Sequence, residues 1–214
     1  SSGHSDHLTI QMKDYTRVYL IRHGHLVNSH TGVYNGHTDI ELSPEGIAQT
    51  IAVAESLRDK SISAIYSSDL RRCRDGAEII AAPHGLKVMP GKALREINFG
   101  CWEGMTPEEV RSKYTDVWLK WIEDPVCTSP PGGETLRDIQ RRVIKELDVI
   151  ITRHVGEEII LFTHAGVNRI IICHAINLAI ENCFRIQQDF CSVNIIDFHE
   201  TTAVVKLING LPLL

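Results

Sequence analysis

Two histidines in this chain each stand at the end of an apolar run. Arg17-Val18-Tyr19-Leu20-Ile21-Arg22-His23-Gly24 leads four strand-favouring residues into an arginine, a histidine and a glycine. Glu158-Ile159-Ile160-Leu161-Phe162-Thr163-His164-Ala165-Gly166 repeats the pattern far downstream. Open α/β sheets gather their ligands beyond the C-terminal ends of their strands. Two strands that each close on a histidine therefore place two imidazoles side by side over one sheet edge. Arginines add a second chemistry. Arg71, Arg72 and Arg74 fall in the first turns of a helix that follows Ser67-Ser68-Asp69. Cations are disfavoured at a helix N-terminus, so the plain reading pairs Arg71 and Arg74 with carboxylates such as Asp75 and Glu78. A helix start with free N–H groups and an arginine is also a cradle for phosphate.

The elements that must carry these groups alternate. Val18 to Ile21 reads as a short buried strand. A polar loop through Asn28, Asn35-Gly36 and Asp39 follows. Ser43 and Pro44 then open a helix to about Asp59, with Ile47, Ile51, Ala54 and Leu57 as the expected buried stripe. Ile62 to Tyr66 reads as a second strand, and the arginine-bearing helix comes next. Strand–helix alternation of this kind predicts a mainly parallel sheet. Leu94 to Gly104 mixes carboxylates, aromatics and glycines without periodicity, the mark of an ordered loop. Thr106 and Glu109 frame a capping box for a short helix to about Tyr114. Trp118 and Trp121 share a helical face and read as packing. After the break at Pro130-Pro131-Gly132-Gly133, a long helix from about Glu134 to Arg153 buries Leu136, Ile139, Val143, Leu147 and Ile150. Val167 to Leu178 predicts a buried helix, and Ser192–Phe198 with Ala203–Ile208 a closing antiparallel pair at a sheet edge.

Composition narrows the partners. The 214 residues carry a net charge of −5, with 43% hydrophobic and 23% charged residues, the profile of an ordinary globular protein. A pI near 6.1 argues against a nucleic-acid or anionic-membrane surface. No apolar run approaches the roughly 20 residues needed to span a bilayer, and no signal-peptide pattern is seen. The six cysteines show no C-x-x-C spacing, so neither a zinc site nor a disulfide framework is expected. Most lie in apolar stretches, which predicts a reducing, cytoplasmic setting. Residues 1–16 read as an N-terminal extension, its first five residues having the look of a leftover of recombinant expression, and 17–210 as one domain. An edge strand near the C-terminus leaves room for a homodimer.

Four motifs in order, Arg22-His23-Gly24, Ser67-Ser68-Asp69-Leu70-Arg71-Arg72, Leu94-Arg95-Glu96 with Phe99-Gly100-x-Trp102-Glu103-Gly104, and Thr163-His164-Ala165-Gly166, closely resemble the histidine phosphatase superfamily. The resemblance is to the branch of cofactor-dependent phosphoglycerate mutase and alpha-ribazole phosphatase, and covers roughly Val18 to Ile196. It implies a three-layer α/β/α sandwich with a mostly parallel central sheet, phosphoglycerate mutase-like. It implies a phosphomonoesterase that needs neither metal nor cofactor and forms a phosphohistidine on His23. Arg22, Arg72 and His164 would surround the phosphoryl group, and Glu96 would be the general acid and then the base that activates water. Asn35 and Gly36 match positions that touch phosphate in relatives, Gly36 through its N–H, and Ala165, which replaces a common glycine, is expected among the phosphate-binding residues. Of the arginines in the second helix only Arg72 falls on the family's position. Glu103 is a weaker candidate for the acid.

The chain departs from the family after the first motif. Relatives have glutamate and then threonine or serine after Arg-His-Gly, where His25 and Leu26 stand here. Ser29 replaces the usual asparagine, with Asn28 one position early. Ile97 and Phe99 stand where mutases carry arginine and tyrosine, and the stretch from Thr106 to Pro131 is short and poor in cations. A phosphoenzyme without a carboxylate clamp loses its phosphoryl group to water. The expectation is therefore a phosphatase acting on a small phosphorylated metabolite. The stretch from Arg95 to Glu103 resembles alpha-ribazole phosphatases and broad-specificity phosphatases equally, with alpha-ribazole 5'-phosphate a candidate substrate. The alternatives are a cofactor-dependent phosphoglycerate mutase and a non-catalytic phospho-ligand sensor.

Overall fold

The computed structural model describes residues 13–212. The expected tag remnant and most of the expected extension therefore lie outside the described residues. Strand β1 (Thr16–Arg22) is followed by α1 (Pro44–Leu57), β2 (Ile62–Ser68), α2 (Arg71–Ala81) and β3 (Val88–Gly91). Then come α3 (Pro107–Lys113), α4 (Thr115–Glu123), α5 (Leu136–Arg153), β4 (Glu158–Thr163), α6 (Ala165–Ala175), β5 (Val193–Phe198) and β6 (Ala203–Gly210). The strands form one sheet in the order β3-β2-β4-β1-β5-β6. The first four run parallel, and β5 and β6 close the sheet antiparallel, as the sequence predicts.

Each face of the sheet is covered, which explains strands apolar on both sides. Val53, Ala54, Leu57, Ala77 and Ile80 of α1 and α2 pack on Tyr19, Ile21, Ile65, Ile160 and Phe162. The five predicted stripe residues of α5, with Val167, Ile170 and Ile171 of α6, pack on Val18, Leu20, Ile159 and Leu161. The result is the three-layer sandwich. Trp102, Val110 and Trp121 form a separate buried cluster under α3 and α4, against which Trp118 packs.

Three expectations change. The stripe of α1 is turned by one residue: Gly46, Thr50, Val53, Ala54 and Leu57 are buried, while Ile47 and Ile51 are 42% and 48% exposed. Thr50 tolerates burial because its hydroxyl donates to Gly46 O at 2.7 Å. Strand β3 is additional; its Val88-Met89-Pro90-Gly91 pairs only with β2 at the edge, where proline costs nothing. The N-terminal boundary also moves outward. Thr16 begins β1, its hydroxyl donates to Ile151 O, and Lys13 pairs with Glu158.

Candidate active site

Register brings the two histidines together. In the β1–β4 ladder Arg22 faces Thr163, so His23 and His164 leave adjacent parallel strands at the same level. His23 N donates to Thr163 O at 2.9 Å. The rings lie 5.3 Å apart, edge to face. His23 is 5% exposed and His164 fully buried.

Hydrogen bonds fix both tautomers. His23 Nδ1 lies 2.8 Å from Gly24 O; a carbonyl can only accept, so the ring proton sits on Nδ1 and Nε2 keeps its lone pair. His164 Nδ1 accepts from Arg72 Nε at 3.3 Å; a guanidinium can only donate, so the proton of His164 is on Nε2. Both rings are held neutral well below the ordinary histidine range, by burial first and then by Arg72. Arg22 adds to this on both. The glycine of the first motif serves packing. A Cβ on Gly24 would meet Gly46 O at 2.5 Å, so this glycine lets the start of α1 close over the histidine loop.

The two arginines differ. Arg22 donates through Nη1 to Gln188 O at 2.7 Å, and its guanidinium lies 4.0 Å from the centre of the Phe190 ring. Its Nε is buried with no protein partner among the described residues, and burial lowers its pKa to about 10. Arg72 is fully buried. Besides His164 it holds the carbonyls of Thr38 at 2.8 Å and Gly36 at 2.6 Å. It therefore braces the 35–38 loop as well as the second histidine.

Glu96 lies opposite, in the irregular segment before Gly100. Its carboxylate accepts from Ile97 N at 2.9 Å and from Gly166 N at 3.0 Å. A Cβ on Gly166 would sit 2.2 Å from Glu96 Oε1, so only glycine there lets the carboxylate rest on the start of α6. Ala165, the first residue of that helix, stands between His164 and Gly166. Arg22, His23, Leu26, Ser29, Val33, Asn35, Glu96 and Phe190 enclose a cavity of about 180 Å³. A larger apolar cavity of about 330 Å³, past Phe190 toward Gln49 and Leu211, contains none of the histidines, arginines or Glu96. Chemistry, not size, places the site.

Two of the sequence expectations are redirected. Gly36 N donates to Glu103 Oε2 at 3.0 Å, so that N–H is committed within the loop. Glu103 is a brace and not an acid. It accepts from Gly36 N, His37 N, Phe99 N and Thr38 Oγ1. Burial opposes its charge, but these donors outweigh burial and hold its carboxyl below the usual range. Asn35 lines the cavity and exchanges amide hydrogen bonds with Asn28, 3.1 Å each way. Ser29 also lines it, its hydroxyl accepting from Leu26 N. His25 turns aside, with Nδ1 2.8 Å from Ser43 Oγ. Arg71 reaches Glu41 at 2.9 Å and Asp75 at 3.9 Å, the plain reading.

Sequence reasoning missed Gln188 and Phe190, which reach the site from a loop before β5 with no periodicity to mark them. It also missed Arg142 and Glu134, joined by a hydrogen-bonded ion pair behind Glu96. Among the described residues no group of three or more His, Cys, Asp or Glu side chains is placed to hold a metal ion. No helix among them is long and apolar enough to cross a membrane.

The chain is similar to known proteins both in sequence and in structure. The profile of the histidine phosphatase superfamily (branch 1) matches residues 18–210. Phosphoserine phosphatase 1 of Hydrogenobacter thermophilus is 29% identical over 90% of this chain and 92% of its own. Phosphoglycerate mutase-like protein 4 of Arabidopsis thaliana is 35% identical over 73% of this chain and 69% of its own. The alpha-ribazole phosphatase of Shigella flexneri superposes with a TM-score of 0.85 at 25% identity, over 91% of this chain and 96% of that one. Mycobacterial glucosyl-3-phosphoglycerate phosphatase gives 0.83 at 25% identity, over 92% and 99%. With a family profile spanning nearly all of its sheet and both histidine strands, the chain belongs to the histidine phosphatase superfamily and is a phosphoric monoester hydrolase of its phosphoglycerate mutase-like branch.

Proposed function

We propose that this protein hydrolyses a small phosphorylated metabolite, without metal or cofactor, through a phosphohistidine on His23. The observation that carries the reading is the free Nε2 lone pair of His23, facing a cavity shared with Arg22 and Glu96. Nε2 attacks phosphorus, the N–P bond forms, and the P–O bond to the alcohol breaks. The proton on Glu96 passes to the leaving oxygen, so the alcohol departs neutral. Glu96, now a carboxylate, takes a proton from water as that water attacks phosphorus. The P–N bond breaks, its electrons return to Nε2, and inorganic phosphate is released. The unpartnered Arg22 Nε–H supplies a donor for equatorial oxygens, beside the Nε2–H of His164, which in the free protein lies 3.4 Å from Cys73 Sγ. Arg72, Asn35 and the N–H of Ala165, at the first position of α6, complete the proposed phosphate surroundings.

Leu26, Val33 and Phe190 are the apolar members of a mainly polar lining, and alpha-ribazole 5'-phosphate is one substrate we propose for it. The test is phosphate release with EDTA present from alpha-ribazole 5'-phosphate, phosphoserine, glucosyl-3-phosphoglycerate and 3-phosphoglycerate, wild type beside His23→Ala. EDTA-insensitive release that disappears in the variant supports the proposal. Conversion of 3-phosphoglycerate to 2-phosphoglycerate, dependent on added bisphosphoglycerate and without phosphate release, would make the protein a mutase. No turnover by a folded protein would make it a sensor.

A further inference from the structure

The two histidines are aimed by strand register, but Glu96 stands in a segment with no ladder on either side. Something else must hold it. Arg142, on α5 beside the buried stripe, is 23% exposed and directs its guanidinium at the backbone around Glu96. Its Nη1 donates to Ala93 O at 2.8 Å and Arg95 O at 2.7 Å. Its Nη2 donates to Glu96 O at 2.9 Å and to Glu134 Oε2 at 2.9 Å. Nε donates to Glu134 Oε1 at 2.8 Å. Glu134 Oε2 in turn accepts from Asn98 N at 2.9 Å, and His37 Nε2 donates to Glu96 O at 3.0 Å. One ion pair thus ties three carbonyls and one N–H within the six residues from 93 to 98.

We infer that Arg142, fixed by Glu134, is a positioning residue that sets where the Glu96 carboxyl delivers its proton. The inference rests on the phosphatase reading above and adds a residue that acts only through Glu96. All five N–H groups of the Arg142 guanidinium are spent on the 93–96 backbone and on Glu134, so none is left for the phosphoryl group. From one side the Arg142–Glu134 pair fixes the backbone of Glu96; from the other Gly166 N receives its side chain. The fork is the essential feature. A planar guanidinium can serve several carbonyls and a carboxylate at once, whereas an ammonium is a compact point charge. Removing the fork leaves the acid in place but loosely aimed, and misplacement of about 1 Å can cost about 100-fold in rate.

The readout that separates aiming from general damage is the leaving group. 4-Nitrophenolate departs from phosphorus without a proton, and benzyl alkoxide does not, although the two esters are similar in size. Their kcat/KM values report the step up to phosphohistidine formation, before water enters. Wild type, Glu96→Gln, Arg142→Gln, Arg142→Lys and Glu134→Gln are compared on both esters. Arg142→Lys is included because the charge of Arg142 also bears on His164; lysine keeps the charge and loses the fork. Glu96→Gln is expected to lose far more on benzyl phosphate than on 4-nitrophenyl phosphate. Arg142→Lys and Glu134→Gln are expected to reproduce that selective loss, at about 10-fold or more in the ratio of the two esters, within the range of general acid catalysis. Equal losses on both esters, or no loss, would overturn the inference. If Arg142→Gln does not fold by circular dichroism, the other two variants decide. A wild type that turns over neither ester would instead remove the phosphatase reading.

Discussion

The two halves of the active site are built by different means. His23, His164 and Arg22 sit at or just past the ends of β1 and β4, held by a parallel ladder in which Arg22 faces Thr163. Glu96, the loop at 35–38 and Phe99 have no ladder; side chains pin them, through Arg142, Glu134, Arg72 and Glu103. The nucleophilic half is thus tied to the core of the sheet, whose residues are buried on both faces. The acid half depends on a few charged brackets. Damage to the first half should stop the chemistry, and damage to the second should loosen it or weaken the fold locally.

The largest effect falls on the ladder half. His23→Ala should lower phosphate release by at least about 10⁴-fold, as loss of a covalent nucleophile does, with an unchanged circular dichroism spectrum. Residual turnover within tenfold of wild type would move the nucleophile elsewhere. On the bracketed half, Glu103→Ala strands the N–H groups of Gly36, His37 and Phe99. It should cost about 2–3 kcal/mol of stability, seen as a fall in Tm of about 4–12 °C for a chain this size. An unchanged Tm would show that the loop does not need its brace.

Acid sharpens the comparison again. His23 and His164 are neutral in the fold well below the ordinary range because burial, Arg72 and Arg22 disfavour their charge. The unfolded chain takes up those protons below about pH 6.5, so it binds more protons than the native state there, and stability falls as pH falls. Each histidine contributes a slope of up to about 1.4 kcal/mol per pH unit, and none above about pH 7.5. Urea titrations from pH 7.5 to 5 check this, and a flat profile would contradict the buried neutral pair. The smallest effect belongs to Phe190. Phe190→Leu removes the ring over Arg22, worth about 0.5–2 kcal/mol, and should lower kcat/KM by about 2- to 30-fold. No change would reduce Phe190 to a bystander.

What was legible in the sequence follows the same division. Strands that end on histidines and a five-residue stripe on α5 are periodic signals, and they emerged where expected. The stripe of α1 was misplaced by one residue because Thr50 is buried through a bond to Gly46 O that no hydropathy pattern records. β3 was invisible because proline and glycine fill half of it. The site residues named from the motifs come together, but the roles of Gly36 and Glu103 could not be read from residue type. Which of them offers an N–H to a ligand and which consumes it depends on a contact across 67 positions of chain. Arg142 and Glu134 were hidden for the same reason: their partners lie in another segment.

The most direct test of the account is to look for the covalent intermediate. Glu96→Gln, whose amide cannot activate water, is mixed with excess 4-nitrophenyl phosphate, quenched in base and analysed by intact mass and peptide mapping. The account predicts a gain of one phosphoryl group, labile to acid, on the peptide that contains His23, and no gain in the Glu96→Gln/His23→Ala double variant. A phosphoryl group on another residue, or turnover by wild type with no adduct in any variant, would contradict it.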